Sequence, residues 1–401
     1  MTDPEAFVDT FTTFLREVVR QHRADEQPLG SFVTTVNAYL GGDARSLAVV
    51  TEPLSTPRLP DADIALEALA AGGGEHRLLG VTGRHGRGDS SFAEMLRGES
   101  GALEEGPVDY TSMSVGPSQE RQVVVFGVHL FAYEGVPVAV LQRGARPEYG
   151  RERPTLEVLA PDATLSSRLL QDIRRVMRER SVLRGQVVSF TGNEYESTLG
   201  GITFHSRPAV AADDVVLPAG TLERLERHAV LLGEHRVLLR AARQHLKRGI
   251  LLYGPPGTGK TLTVRHLLSR TEGTTAVLLS GRSLGLISEA AQIARAMQPA
   301  LVVLEDCDLV AEDRDMADGP DSLLFEVLEA LDGLEGDADV TFLLTTNRPD
   351  LLERALTQRP GRVDLAIEIP LPDTEARRAL FSLYARDLPF STTALDEATV
   401  A

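Results

Sequence analysis

Residues 249–261 read Gly249-Ile250-Leu251-Leu252-Tyr253-Gly254-Pro255-Pro256-Gly257-Thr258-Gly259-Lys260-Thr261, and they give the strongest indication of fold class in the chain. Its first five residues are mostly apolar and predict a buried strand, and residues 262–269 continue with helical character. Between them lies a G-x-x-x-x-G-K-T loop, whose glycines let backbone amides surround phosphate groups while the following helix adds its dipole. The sequence therefore predicts a strand, a phosphate-binding loop and a helix, which together begin a parallel α/β sheet.

The loop also predicts which residues hold a nucleotide. Lys260, one of only two lysines in the chain, can reach the β- and γ-phosphates, and the Thr261 hydroxyl can ligate Mg²⁺. We expect ATP and Mg²⁺ to be the bound groups. The expected nucleotide-binding residues are Gly254, Pro255, Pro256, Gly257, Thr258, Gly259, Lys260, Thr261, Leu262 and Asp214.

A second element places acidic residues where this fold binds ligands. Leu301–Leu304 is a short apolar run, typical of a strand buried on both faces, and Glu305-Asp306-Cys307-Asp308 follows it directly. Parallel sheets bind their ligands at the carboxyl ends of their strands. One carboxylate there can hold Mg²⁺ and the next can orient the attacking water of an NTPase.

A third element identifies a family. Val340–Thr346 predicts another buried strand, ending in Asn347-Arg348-Pro349-Asp350, and the chain continues with Leu356-Thr357-Gln358-Arg359-Pro360-Gly361-Arg362-Val363-Asp364. This combination strongly resembles the second region of homology of AAA ATPases. The resemblance covers about Asp213 to Tyr384, with three motifs in the family's order and spacing.

The resemblance implies roles for single residues. By it, Lys260 and Thr261 belong to Walker A, and Leu301–Asp306 is Walker B, with Glu305 on the metal and Asp306 as catalytic base. Asn347 resembles the sensor of the γ-phosphate or attacking water. Arg359 and Arg362 resemble arginine fingers that act on a neighbouring subunit's nucleotide, which implies a ring, commonly a hexamer.

The sequence departs from the family in three places. Most members close Walker B with Asp then Glu, whereas Glu305-Asp306 has the reversed order, as in the branch resembling the mitochondrial chaperone of the Rieske protein. This order is compatible with slow or regulated turnover. Ser283 stands where substrate-threading members carry an aromatic residue. After a first lid helix at Thr374–Arg386 the sequence stops at Ala401, so we expect a short or truncated lid.

The chain as a whole predicts four parts. We expect an α+β domain at 1–185, a connector with a strand or two at 186–217, an α/β ATPase domain at 218–372 and a partial helical lid at 373–401. In the first part, strands separated by turn residues predict an antiparallel meander, and an amphipathic helix follows. Those strands are expected at Val108–Val115, Gln122–Tyr133, Val136–Gln142 and Thr155–Leu159, and the helix at Ala163–Arg180.

The composition of the chain bears on which partners and which cellular compartment we expect. With 58 acidic and 41 basic residues the net charge is −17, which argues against a protein that coats nucleic acid. A single cysteine, Cys307, cannot form an internal disulfide and suggests a reducing compartment. The acidic start, Met1–Glu5, lacks the pattern of a signal peptide, and no run is apolar enough to cross a membrane. We therefore expect a cytoplasmic protein.

Three functional hypotheses follow. The first is an AAA ATPase that binds Mg-ATP at subunit interfaces and uses hydrolysis to remodel a protein partner bound by residues 1–185. The second is an oligomeric scaffold switched by nucleotide, with little hydrolysis, because of the Glu305-Asp306 order and the short lid. The third is a DNA-handling ATPase, against which the acidic charge and the lack of a basic DNA-binding motif count.

Overall fold

The structure is a computed structural model, and it describes residues 30–83, 90–98, 102–190, 201–231, 233, 235–308, 338–348 and 363–386. The chain divides into two compact units. The first comprises residues 1–112 and 122–179, and the second comprises residues 113–121 and 180–401. Helices and strands are numbered here along the described residues.

The first sheet is antiparallel. Its strands are β1 (Val49–Pro53), β2 (His76–Thr82), β3 (Glu104–Gly106), β4 (Asp109–Gly116), β5 (Gln119–Tyr133), β6 (Val136–Arg143) and β7 (Thr155–Leu159). They lie in the order β1-β7-β6-β5-β2-β3, and β4 also pairs with β5. The predicted meander is present in β5, β6 and β7, whose pairings are antiparallel. Glu134 and Gly135 form the turn between β5 and β6 with φ of 52° and 78°, as tight hairpins require.

Helices cover both faces of this sheet. They are α1 (Ser31–Leu40), α2 (Leu59–Gly72), α3 (Phe92–Arg97) and α4 (Ala163–Glu179). The apolar side chains of α2 and α4 pack with Phe131 and Val140 on one face. Those of α1 and α3 pack with Phe126 and Leu141 on the other face. Alternate residues of β5 and β6 therefore enter two separate cores, which is why these strands are apolar almost without interruption.

The second sheet is parallel except at one edge. Its strands are β8 (Val187–Phe190), β9 (Ile202–His205), β10 (Arg248–Tyr253), β11 (Thr275–Ser280), β12 (Ala300–Glu305), β13 (Val340–Thr346) and β14 (Leu365–Glu368). Their order is β14-β10-β13-β12-β11-β8-β9, and only β8 and β9 pair antiparallel. The α/β fold predicted from the loop motif is confirmed.

Residues 186–217 are more than a connector. β8 pairs with β11 in parallel, and β9 pairs with β8, so both strands belong to the second sheet. The sequence predicts a strand or two in this stretch but an α/β domain that begins after it, at residue 218. The two strands have only four residues each, and such short runs carry no periodicity that reveals their partners.

The described helices of the second unit are α5 (Thr221–Glu226), α6 (Arg236–Ala241), α7 (Lys260–Arg270), α8 (Ile287–Ala296) and α9 (Thr374–Tyr384). Those that contribute buried side chains, α5, α7 and α8, cover both faces of the sheet. α7 packs Leu267 into the core on one face, and α8 packs Ile293 into the core on the other. At the amino-terminal ends of the strands, Arg248 donates to Asp339 at 2.6 Å, and both side chains are buried. No helix among the described residues combines the length and the hydropathy that crossing a bilayer requires.

The first unit buries a histidine in its sheet. His129 of β5 is 1% exposed, and its ring stacks on that of His76 with centroids 5.3 Å apart. Burial lowers the pKa of His129 to about 3, and His76 acts in the same direction. The folded protein therefore holds His129 neutral across the range in which an unfolded histidine, with a pKa near 6.5, takes up a proton.

This burial predicts a loss of stability in acid. Below pH 6.5 His129 is protonated in the unfolded chain, whereas in the folded chain it stays neutral down to about pH 3. The free energy of unfolding should therefore fall as the pH falls, by up to about 1.4 kcal/mol per pH unit from this group. Urea unfolding from neutral pH down to about pH 5 measures this slope. His129→Gln should flatten the slope and the exposed His245→Gln should not; equal slopes in all three proteins would contradict the prediction.

Candidate functional site

The loop after β10 requires glycine at defined positions. Gly254, Gly257 and Gly259 have φ of 148°, 78° and 99°, which side-chain-bearing residues rarely adopt. At Gly254 a Cβ would also lie 2.1 Å from the carbonyl oxygen of Ile369. Ile369 cannot move away easily, because its N–H donates to the Tyr253 carbonyl at 2.7 Å. The backbone conformation of the loop therefore requires glycine, both for its positive φ angles and for the close contact of Gly254 with Ile369.

Lys260 is the first residue of α7 and is buried against the loop. Its Nζ donates to the carbonyl oxygens of Gly254 and Pro255 at 2.9 and 2.8 Å. The Thr258 hydroxyl also donates to the Pro255 carbonyl, at 2.9 Å. Burial lowers the pKa of Lys260, and the carboxylates of Asp306 and other acids after β12 act against this. The ammonium therefore lies near both the loop and the acidic run.

Glu305 ends β12 and faces the start of α7. Burial raises the pKa of Glu305, the neighbouring Asp306 raises it further, and Arg265 and a hydrogen bond from Thr261 act against both. Glu305 and Asp306 are adjacent carboxylates whose mutual repulsion is only partly offset by Arg265 and Thr261, so a cation beside them would be favoured. Carboxylate and hydroxyl oxygens are ligands that suit Mg²⁺, so Glu305 and Thr261 fit that ion.

The chain turns sharply after β12. Asp306 has a φ of 52°, in the left-handed region. Its N–H donates to the Thr345 hydroxyl at 3.0 Å, and the next N–H, of Cys307, donates to the Thr345 carbonyl at 3.0 Å. Both bonds tie this turn to β13, so the backbone that carries Asp306 is held by its neighbouring strand.

Asn347 follows β13 and meets an acidic residue to which the sequence analysis gave no role. Its main-chain N–H and its side-chain Nδ2 donate to the two carboxylate oxygens of Asp308 at 3.0 and 3.1 Å. The Thr346 hydroxyl donates to the same carboxylate at 3.1 Å. Burial raises the pKa of Asp308, but these hydrogen bonds outweigh it, and the pKa lies below its usual value. Asp308 is therefore ionised at neutral pH.

A cavity of about 570 Å³ opens beside the loop. One wall is Val215–Ala219, another is Gly257–Gly259 with Leu262, and the third is Ile369–Asp373 with the apolar side of α9. Its volume lies within the usual range of small-ligand sites. Asp214, predicted to bind nucleotide, lies directly before this lining and accepts from the Ala211 N–H at 3.3 Å.

The structure thus gathers most of the predicted residues at one end of the sheet. Lys260, Thr261, Glu305, Asp306 and Asn347 all follow or face the carboxyl ends of the neighbouring strands β10, β13 and β12. The proposed arginine fingers, Arg359 and Arg362, lie outside the described residues.

Comparison with known proteins assigns this region to a family. The family model described as "ATPase family associated with various cellular activities (AAA)" matches residues 250–371. The chain contains an AAA ATPase domain. The match begins in β10 and ends beyond β14, and it includes the loop, both acidic positions after β12 and Asn347.

Curated proteins match part of this chain. The chain is 36% identical over 157 residues to "ATPase family gene 2 protein homolog A" of Homo sapiens, covering 36% of this chain and 17% of that protein. It is 37% identical over 152 residues to "26S proteasome regulatory subunit 10B homolog A" of Arabidopsis thaliana, covering 34% and 38%. It is 32% identical over 258 residues to "Proteasome-activating nucleotidase" of Methanospirillum hungatei JF-1, covering 59% and 60%. The chain therefore spans less than two thirds of each of these relatives.

The loop geometry predicts different costs for two glycine substitutions. Gly254→Ala should lower the melting temperature strongly, because the new Cβ meets the Ile369 carbonyl and adopts an unfavourable φ. Gly257→Ala is the matched control, since it has an unfavourable φ but nothing within 4 Å of the new Cβ. Its cost should be backbone strain alone, on the order of 1 kcal/mol. Thermal unfolding followed by circular dichroism measures both, and equal melting temperatures would refute the role of the close approach.

Proposed function

We propose that this protein is an ATP hydrolase whose AAA domain binds Mg-ATP and uses its hydrolysis to remodel a protein partner. The observation that carries the proposal is the common position of Lys260, Glu305, Asp306 and Asn347 at the carboxyl ends of three neighbouring strands, beside the loop. Phosphoryl transfer to water needs a basic residue that binds phosphate and acidic residues that bind the metal and activate the water. It also needs a polar group, here an amide, that orients the attacking water.

The residues present fit the nucleotide. At Gly257 and Gly259 no atom lies within 4 Å of the position that a Cβ would take, so the loop leaves room for close approach by phosphate oxygens. The buried ammonium of Lys260 has only carbonyl partners in the loop, and a phosphate would give it an anionic one. The apolar cavity wall at Val215–Ala219 suits the base of ATP. Mg²⁺, held by Glu305 and Thr261, would supply positive charge to the phosphates.

Each remaining residue has a chemical role in this proposal. Asp306 accepts a proton from the attacking water as the new P–O bond forms, the bond between the β- and γ-phosphates breaks and ADP leaves. Asn347 orients that water. Arg359 and Arg362 arrive from the neighbouring subunit of a ring and stabilise the charge that develops on the γ-phosphate.

The partner is proposed to be a protein. The names of two relatives concern the proteasome. By analogy we propose that this chain uses ATP to act on a protein. The segment after β11 argues against threading by an exposed aromatic side chain. Ser283 stands there, its hydroxyl accepts from the Ser280 N–H at 2.9 Å, and the next residue, Leu284, is fully buried. We therefore propose that the first unit binds the partner and that motion of the ring acts on it.

Release of ADP tests the enzyme and its assembly. With Mg-ATP, turnover per subunit should rise steeply with protein concentration, because each site needs an arginine from its neighbour. Arg359→Ala should lower kcat by about a thousandfold or more. Arg168→Ala, which removes a half-exposed arginine paired with Glu134, is the control and should leave kcat unchanged.

Mixing two inactive variants tests whether the arginine acts between subunits. Lys260→Ala keeps the finger but loses its own site, and Arg359→Ala keeps the site but loses the finger. Rings assembled from both should regain part of the turnover, because some interfaces join an intact site to an intact finger. ATP binding without ADP release by the unaltered protein would instead support the nucleotide-switched scaffold.

A further inference from the structure

Asp308 holds the predicted sensor by both its backbone and its side chain. Oδ1 of Asp308 accepts from the Asn347 N–H at 3.0 Å and from the Thr346 hydroxyl at 3.1 Å. Oδ2 accepts from Nδ2 of Asn347 at 3.1 Å. One carboxylate therefore fixes the position of Asn347 and the rotation of its side chain.

The chemistry of the pair also decides which end of the Asn347 amide is held. An ionised carboxylate only accepts hydrogen bonds, so it selects the NH₂ end of an amide over the carbonyl end. Nδ2 of Asn347 is thereby turned toward Asp308. Within the described part of the chain, Oδ1 of Asn347 receives no hydrogen bond, and it is the end of the amide turned away from Asp308.

The pair lies beside the proposed phosphate-binding lysine. The Asp308 carboxylate is close enough to Lys260 to raise its pKa, together with Asp306 and against the effect of burial. An amide that is fixed by Asp308 therefore lies near the residues that are proposed to hold phosphate and to activate water.

The backbone that carries Asp308 is itself held in place. The N–H groups of Asp306 and Cys307 donate to the hydroxyl and the carbonyl of Thr345, both at 3.0 Å. The segment after β12 is thus tied to β13 before it reaches Asp308, so the Asp308–Asn347 distance depends on the pairing of these two strands.

We infer that Asp308 is a positioning residue for ATP hydrolysis, which turns Asn347 so that its carbonyl oxygen accepts a hydrogen bond from the attacking water. The inference rests on the proposed ATPase function. It adds a residue that touches neither nucleotide nor water, and it makes Asn347 an acceptor for water rather than a donor to phosphate.

The first test separates positioning from nucleotide binding. Asp308→Asn keeps the size of the side chain but presents an NH₂ group to the Asn347 amide, which then turns its carbonyl end toward residue 308. We expect kcat to fall about 10- to 100-fold, as when other orienting partners are removed. The Kd of a fluorescent ATP analogue should change less than about threefold, because the hydrogen bonds of Asp308 within the described residues go to Thr346 and Asn347 and none goes to the loop.

The second test asks whether Asp308 acts through Asn347. In Asn347→Ala the sensor amide is gone, so adding Asp308→Asn should lower kcat no further. Losses that multiply in the double variant would overturn the inference. Asp364→Asn is the matched control, because its carboxylate also accepts from a backbone N–H, that of Gly249 at 2.8 Å, at the opposite end of β10. It should lower the melting temperature and leave kcat unchanged.

The outcomes distinguish the two proposals. Unaltered protein without ADP release overturns the ATPase proposal, whereas active protein whose kcat is insensitive to Asp308→Asn overturns only the role of Asp308. A fall in kcat and a rise in Kd of equal size would make Asp308 a structural residue and would also overturn it. If Asp308→Asn does not fold, Asp308→Glu keeps both acceptors but shifts them by one methylene, and the same double-variant comparison decides.

Discussion

The candidate site depends on the register of three parallel strands. β13 lies between β10 and β12, with Tyr253 opposite Thr346 and Leu304 opposite Leu344. Because the three strands end within one residue of each other, the loop, the acidic run and Asn347 begin close together. A slip by one residue would turn the buried faces of these strands over and would also separate the residues that follow them.

Polar side chains fix this register at both ends. At the start of the strands Arg248 reaches across to Asp339, and the pair is buried from solvent. At the other end Asp308 binds Thr346 and Asn347. Buried ion pairs contribute little net stability compared with apolar packing. Separating the two partners is nevertheless costly, because it leaves a buried charge unpaired. The Arg248–Asp339 pair therefore favours the observed alignment, because a shifted strand would separate two buried charges.

The strands β10, β12 and β13 of the second sheet could be predicted because each is a mostly apolar run followed by a glycine or polar motif. Val340–Thr346 has the same bounds in the sequence analysis and in the structure, and the loop glycines stand where a positive φ is needed. The partners of β8 and β9 could not be predicted, since four-residue strands pair through contacts distant in sequence. Asp308 was missed for a related reason: beside Glu305 and Asp306 it looks like one more acid, and only its distance to Asn347 sets it apart. The roles of Arg359 and Arg362 stay predictions.

The strand order has a consequence for how the chain is made. β10 carries the fully buried Ile250 and Leu252, yet both its neighbours, β13 and β14, come later in the chain. Roughly 90 residues separate Tyr253 from Val340, which a ribosome takes several seconds to add. During that interval the apolar residues of β10 cannot pair with either of their final partner strands. They can then bind chaperones or associate with other copies of the nascent chain. The order of strands that assembles the site thus also sets a period in which the growing protein needs protection.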